Sequence, residues 1–262
     1  MSKQIKSLLL AFQFFTRIPI PMLIDFEGDT LKRGTLYLPF IGAVLGGLLY
    51  LFGLSVIYIF PPMIAASLTL CFCVYLTGGL HLDGLLDTAD GVYSQRTGSE
   101  MLRIITDSRI GAFGAIVGIL MLLLKFSLFY ALFDKNLFSG LIILPMIWSR
   151  FVLIITIITQ PYYSEEDGIG GLYAGMTQIH IYITFALALS LSGLVWLISP
   201  VTFFNYASLI CAMLASNLLV MYLVARQLKK QLGGLTGDNY GAINELCEIA
   251  SLLVLVAILN II

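Results

Sequence analysis

The chain has 262 residues, 59% of them hydrophobic and only 11% charged, with a formal net charge of -1 and a mean hydropathy of +0.98. A soluble domain carries about a quarter of its residues charged, so this composition excludes one and points to a polytopic membrane protein. With no basic tract and no net positive charge, nothing is available to track a phosphate backbone, which excludes a nucleic-acid partner.

The first 17 residues combine Lys3, Lys6 and Arg17 with an apolar patch at 8–15. No small-residue cleavage site follows, so the segment reads as a helix lying on the membrane and ended by Pro19 and Pro21 rather than as a signal peptide. Apolar runs of spanning length follow at 36–60, 63–80, 110–133, 137–159, 179–199, 204–225 and 246–262. Tight breaks at Pro61-Pro62, Asp134-Lys135-Asn136 and Pro200 pair the first six into hairpins. The expected fold is therefore all-α, a polytopic bundle of about seven transmembrane helices plus the interfacial helix, in one integral-membrane unit over 1–262.

Of the fourteen Lys and Arg residues, eleven fall on the N-terminal face: Lys3, Lys6, Arg17, Lys32, Arg33, Arg96, Arg103, Arg109, Arg226, Lys229 and Lys230. Lys135 alone lies opposite, and Lys125 and Arg150 fall inside spans. The positive-inside rule makes the N-terminal face cytoplasmic. That face also receives the polar segments 81–109, 160–178 and 226–245, the only ones long enough to hold chemistry. The four cysteines, Cys71, Cys73, Cys211 and Cys247, sit in or beside apolar runs and read as small buried hydrophobes rather than a zinc site.

The densest polar motif is HLDGLLDTADG at 81–91, where Asp83, Asp87 and Asp90 recur at i, i+4 and i+7. On a helix all three carboxylates project from one face. Such like charges repel unless a cation holds them, and an oxygen ligand set suits Mg²⁺. The competing reading is a solvated helix end. His81 beside them is either structural or a general base. In DSRIGAFG at 107–114, Asp107 is placed to complete the metal site and Arg109 to clamp a phosphate, while Glu100 and Arg103 just before read as a surface ion pair.

The last polar segment ends GGLTGDNYGAINELCE. Gly234 and Gly237 offer backbone N–H groups to a phosphate, and Asp238, Glu245 and Glu248 share a helical face running into the membrane. A helix cap at Asp238 is the ordinary alternative. Arg150, about two turns inside its span, could reach an anionic ligand in a cavity open to the cytoplasm; Lys125 reads as a structural partner, and His180 as weaker still. The acidic run Glu165, Glu166 and Asp167 reads as a solvated loop. Carboxylates around a divalent ion, with arginines and glycine turns, are the parts of phosphoryl transfer. The absence of GxxxxGK[ST] and of GxSxG argues against a P-loop ATPase and a serine hydrolase.

The combination of TRIP near the N-terminus, GGLHLDGLLDTADG at 78–91, DSRIGAFG at 107–114 and GGLTGDNYGAINELCE at 233–248 resembles the cobalamin synthase family, the adenosylcobinamide-GDP ribazoletransferases, over nearly the whole chain. The resemblance implies two small-molecule substrates, adenosylcobinamide-GDP and α-ribazole or its 5′-phosphate, with Mg²⁺ as cofactor. GMP would be the leaving group and adenosylcobalamin or its 5′-phosphate the product, formed at the cytoplasmic membrane of a bacterium or archaeon. It assigns Asp83, Asp87 and Asp90, supported by Asp107, to Mg²⁺ and the diphosphate, and Asp238 and Glu245 to metal or ribazole. Leu86 is larger than the residue expected there and should face away from the aspartates. Two alternatives stay open, a CDP-alcohol phosphotransferase, whose Ala-Arg pair is missing after Asp83-Gly84, and an ion-coupled transporter, which would place its acids near the midplane. The reading allows a homo-oligomer.

Overall fold

A computed structural model describes residues 2–22, 24, 28–163, 176–199 and 201–261. The acidic run at 165–167 lies outside them. Helix α1 (Lys3–Phe15) starts on a Ser2 cap and buries Ser7, Leu10, Ala11 and Phe15, so its apolar side is used for packing. It stops at Phe15, where Thr16 turns extended (φ -143°) with its hydroxyl donating to Phe12 O and accepting from Ile18 N, three residues ahead of Pro19. Helices α2 (Gly28–Gly34), α3 (Leu38–Ile59), α4 (Pro62–Thr77) and α5 (Leu80–Tyr93) follow, then α6 (Gly98–Ile105), α7 (Ala112–Asp134), α8 (Ile143–Thr159), α9 (Gln178–Leu197), α10 (Phe203–Leu232) and α11 (Gly237–Leu259).

Among the described residues six helical stretches are long and apolar enough to cross a bilayer: α3 with the turns before it, α7, α8 with its preceding turn, α9, α10 and α11. Helices α4 and α5 satisfy that test only together, and they are bent by 89°. The bend is made by two consecutive left-handed glycines, Gly78 (φ 64°) and Gly79 (φ 70°). A side chain would be strained at either. Helix α5 thus leaves α4 nearly at a right angle, and the pair forms a broken span or a re-entrant element rather than one straight crossing. The result is an all-α polytopic membrane bundle.

Helix α8 is the axis, buried from Ile143 through Ile154. Helix α3 approaches it closely because Gly42 and Gly46 lie one turn apart on the facing side. A Cβ at Gly46 would come within 2.8 Å of Ile143 Cα, the small-residue packing that membrane helices use in place of a hydrophobic driving force. At one end, Lys135 Nζ donates to Asn260 Oδ1 at 2.7 Å, tying the α7–α8 turn to the end of α11. At the other, Tyr163 N donates to Leu235 O at 3.0 Å and Leu235 N to Pro161 O at 2.9 Å, so the exit of α8 meets the α10–α11 turn.

Two expectations shift. The stretch 226–245 is not a loop: α10 continues to Leu232, stops at Gly233 (φ 93°), and α11 begins at Gly237. A helix of 30 residues is about 45 Å long and outruns a hydrocarbon core of about 30 Å, which is why charged residues tolerate its last turns. Cys73 and Cys247 are buried as expected, but Cys71 and Cys211 are exposed on the outer surface of the bundle, where lipid provides the apolar surroundings that a core would.

Candidate active site

The site forms where α5 lies against the first turns of α11. The contact is tight: a Cβ at Gly84 would stand 2.6 Å from Asp238 O, so only glycine there lets the two backbones meet. Thr236 caps α11, with Asn239 completing a capping box, and Asn239 Nδ2 donates to Thr88 Oγ1 of α5 at 2.8 Å. The cap is therefore made by Thr236 rather than by the alternative, Asp238, whose carboxylate accepts from its own backbone N–H. A second crosslink joins Asn244 Nδ2 to His81 Nδ1 at 2.8 Å. No motif in the sequence points to Thr88, Asn239 or Asn244. Their signal is uncharged polar residues on the inward faces of two helices, visible only once α5 and α11 are known to pair.

Asp83, Asp87 and Asp238 are brought together. Asp83 is exposed and Asp87 and Asp238 are half-buried, and among the described residues none of the three is in an ion pair. Burial, and then the charges of Asp83, Asp238 and Asp90, push the Asp87 carboxyl up to about 7. Among the described residues no three His, Cys, Asp or Glu side chains already converge on one point. The group is a set of neighbouring unpaired acids rather than a closed coordination shell. This fits Mg²⁺, which keeps several waters and is held by one or two carboxylates together with substrate phosphates. Asp83 and Asp87 would hold it.

The other proposed ligands are held elsewhere. Asp90 accepts from Gly111 N at 2.7 Å and Gly114 N at 2.8 Å, capping α7 from outside. A Cβ at either glycine would run into the Asp90 carboxylate, which accounts for the glycines of that motif. Asp107 is bound to Arg109 by Nη2 at 2.7 Å and Nε at 3.0 Å; the hydrogen bonds from Arg109 hold its carboxyl down at about 2. Glu100 pairs with Arg96 at 3.3 Å rather than with Arg103. Leu86 packs against Gly118 of α7 and also lines the groove that holds Asp83 rather than facing away from it.

Glu245 lies two turns below Asp238 and receives Lys125 Nζ at 2.5 Å. Lys125 also reaches Glu248 Oε1 at 2.8 Å, and Arg150 Nη1 reaches Glu248 Oε2 at 3.3 Å. All four side chains are buried. Two cations and two anions thus neutralise one another inside the bundle, as charges in a membrane must. Arg150 is fully enclosed and pairs with Glu248 through Nη1, while its Nε and Nη2 have no hydrogen-bond partner among the described residues. Gly234 faces a filled space, since a Cβ there would meet Tyr163 Cα at 2.7 Å. Gly237 lies beside Asp238 at the site.

Two openings flank the acids. A groove of about 500 Å³ beside Asp83 is lined by Thr16, Arg17, Thr77 and Asp83, and Arg17, whose side chain lies over Gly78, is a guanidinium that the sequence reading treated only as a topological charge. A smaller slot carries His81 and Asp238 on its wall. Burial pushes His81 down to about 3, so its imidazole is uncharged.

A family model described as cobalamin-5-phosphate synthase matches residues 7–256. A protein named adenosylcobinamide-GDP ribazoletransferase from Thermoanaerobacter pseudethanolicus is 34% identical over 257 residues, covering 98% of this chain and 99% of the relative. Proteins of the same name from Clostridium botulinum and Brevibacillus brevis are 34% and 36% identical, covering 97% and 95% of this chain and 99% and 96% of theirs. No solved structure matches. With its four motifs in order and both families of comparison covering nearly all of it, the chain belongs to the cobalamin-5-phosphate synthase family.

Proposed function

We propose that this chain transfers the adenosylcobinamide phosphate moiety of adenosylcobinamide-GDP to a ribose hydroxyl of α-ribazole or its 5′-phosphate, giving adenosylcobalamin or its 5′-phosphate and GMP. The observation that carries this reading within the family is the group of unpaired acids Asp83, Asp87 and Asp238 at one junction of two helices. In the reaction, the hydroxyl oxygen forms a bond to the phosphorus on the cobinamide side. The bond from that phosphorus to the bridging oxygen breaks, and GMP leaves with that oxygen. Asp238, which belongs both to the acidic group and to the slot with His81, is the carboxylate placed to receive the hydroxyl proton.

Asp83 and Asp87 would hold Mg²⁺, which would neutralise the diphosphate and the charge on the leaving phosphate. Arg17, on the groove shared with Asp83, takes the anion-binding part that the sequence had given to Arg109 and Arg150. Its guanidinium suits bidentate binding of phosphate oxygens. The excess of Lys and Arg on this end of the bundle supports a site facing the cytoplasm. Purified protein in detergent, given adenosylcobinamide-GDP and either acceptor, should release GMP and form the cobalamin product in equal amounts, and only with Mg²⁺. A folded protein that makes no product from either acceptor would sink the proposal.

A further inference from the structure

A further opening lies on the side of α5 away from the acids. It is a cleft of about 450 Å³ lined by residues of α5, α7, α10 and α11. Leu85 and Ala89 of α5 and Ala242 of α11 are buried at its floor, while Leu120 of α7 and Leu223 of α10, 54% and 53% exposed, form its lips. On a helix of 3.6 residues per turn, two positions carry a side chain about 200° round the axis. Leu85, Ala89 and Val92, which line the cleft, therefore stand opposite Asp83, Asp87 and Asp90. Beside the lips, Ile116 and Leu123 of α7 and Leu219 of α10 are also exposed, and both helices are long and apolar enough to cross a bilayer. The cleft thus opens sideways onto acyl chains. One end of it leads into charge. Leu223, Gln227 and Lys230 follow one another at i, i+4 and i+7 along an exposed side of α10, with Arg226 one turn from Lys230 on that side. Among the described residues neither Arg226 nor Lys230 is in an ion pair. Lys230 stands about 10 Å along the helix from Leu223, the step from hydrocarbon into the headgroup region. Gln231 Nε2 donates to Val92 O at 3.5 Å, which places Tyr93 at this same end, stacked on Phe113 at 5.3 Å as aromatic side chains are at a membrane interface.

We propose that this cleft holds one phospholipid of the surrounding bilayer, with an acyl chain between the lips and an anionic headgroup at Lys230 and Arg226. The volume falls within the range of about 300–1,000 Å³ of small-molecule sites. Its walls suit a thin apolar chain, because Thr88, the polar group at the floor, already accepts from Asn239. A helix about 10–12 Å across would fill such a volume with a single turn, so a helix of a second copy does not fit it. A guanidinium and an ammonium without counter-ions, at headgroup depth, are the complement of a lipid phosphate. The chain packs on the back of the helix that carries Asp83 and Asp87 and supports it against α11. The lipid is then a positioning ligand of the acidic helix and takes no part in the chemistry.

The test titrates delipidated full-length protein in a non-ionic detergent with phosphatidylglycerol or with phosphatidylcholine of the same chains, read by native mass spectrometry and by thermal denaturation. Wild type should retain one phosphatidylglycerol at least about tenfold more tightly than phosphatidylcholine, and its melting temperature should rise more with the first. Arg226→Gln combined with Lys230→Gln should bring that preference to within about threefold. Lys3→Gln combined with Lys6→Gln, which removes as many charges from α1, should leave it as in wild type. Leu223→Trp, at an exposed lip, narrows the cleft and should weaken retention at least about tenfold. Should that variant fail to fold, Leu120→Trp replaces it, and the comparison of the two lipids on wild type needs no variant. Equal retention of the two lipids by wild type, an equal loss of preference in the Lys3 and Lys6 variant, or undiminished retention in a folded lip variant overturns the proposal.

Discussion

Gly84 of α5 and Asp238 of α11 touch backbone to backbone: a single added methyl at Gly84 would lie 2.6 Å from the Asp238 carbonyl oxygen. This contact sets the distance between Asp238 and the aspartates of α5. Gly84→Ala must therefore push α11 away. The packing strain should cost about 1–3 kcal/mol of stability, whereas a displacement of about 1 Å at reacting groups can cost about 100-fold in rate. Thermal denaturation and turnover measured together should show a loss of activity far larger than the loss of folded protein. A variant with ordinary activity would contradict this account of the site.

Asp90 is assigned to the start of α7 rather than to the metal. Asp90→Ala removes two hydrogen bonds from a carboxylate to helix amides and should lower stability by about 2 kcal/mol. The Mg²⁺ concentration for half-maximal activity should stay within about threefold of wild type. A folded Asp90→Ala protein whose Mg²⁺ requirement rises steeply would return Asp90 to the ligand set.

Lys125 neutralises both Glu245 and Glu248. Lys125→Met leaves Glu245 buried without its partner and should destabilise by about 3–5 kcal/mol. Adding Glu245→Gln should recover much of that loss, because Glu248 keeps Arg150. Denaturation midpoints of the two single variants and the double variant measure the coupling. Additive losses would show that the residues do not act as a pair.

Asp87 gives a pH dependence with a definite sign. Its carboxyl rises from an ordinary 3.8 to about 7, so between these values the folded protein retains a proton that the unfolded chain has released. Stability of the metal-free protein from this group is thus lost as pH rises through that window and is fully present below it. The metal-free Asp87→Asn variant should lack this slope, and Mg²⁺ should stabilise wild type more at about pH 7.5 than at about pH 5. Melting curves of both proteins with and without Mg²⁺ decide it; identical slopes would place the raised carboxyl elsewhere.

The spans were legible because runs of about twenty apolar residues admit few other structures in a membrane, and the spacing of Asp83 and Asp87 was legible because α5 is a regular helix. What the spacing could not distinguish was the partner that each acid finds. Asp87 and Asp90 lie three residues apart on one face, yet Asp90 points to the amides of α7, a neighbour 21 residues away. Glu245 shares a face with Asp238 on α11, but two turns of helix carry it about 10 Å deeper, into reach of Lys125. The crosslinks Asn239 to Thr88 and Asn244 to His81 join elements about 150 residues apart in sequence, so no local pattern announces them.

In the proposed reaction Asp83, Asp87 and Asp238 act as one cation-dependent site to which Asp107 and Glu245 do not belong. The most direct measurement is GMP release from adenosylcobinamide-GDP and α-ribazole as a function of Mg²⁺ for Asp83→Asn, Asp87→Asn, Asp238→Asn, Asp107→Asn and Glu245→Gln, each checked for folding. The first two should lose at least about 100-fold in rate or require far more Mg²⁺, and Asp238→Asn should lose rate with its Mg²⁺ requirement less changed. Folded Asp107→Asn and Glu245→Gln should keep the wild-type Mg²⁺ requirement. A wild-type Mg²⁺ response in Asp83→Asn and Asp87→Asn, or its collapse in Asp107→Asn, would contradict the account.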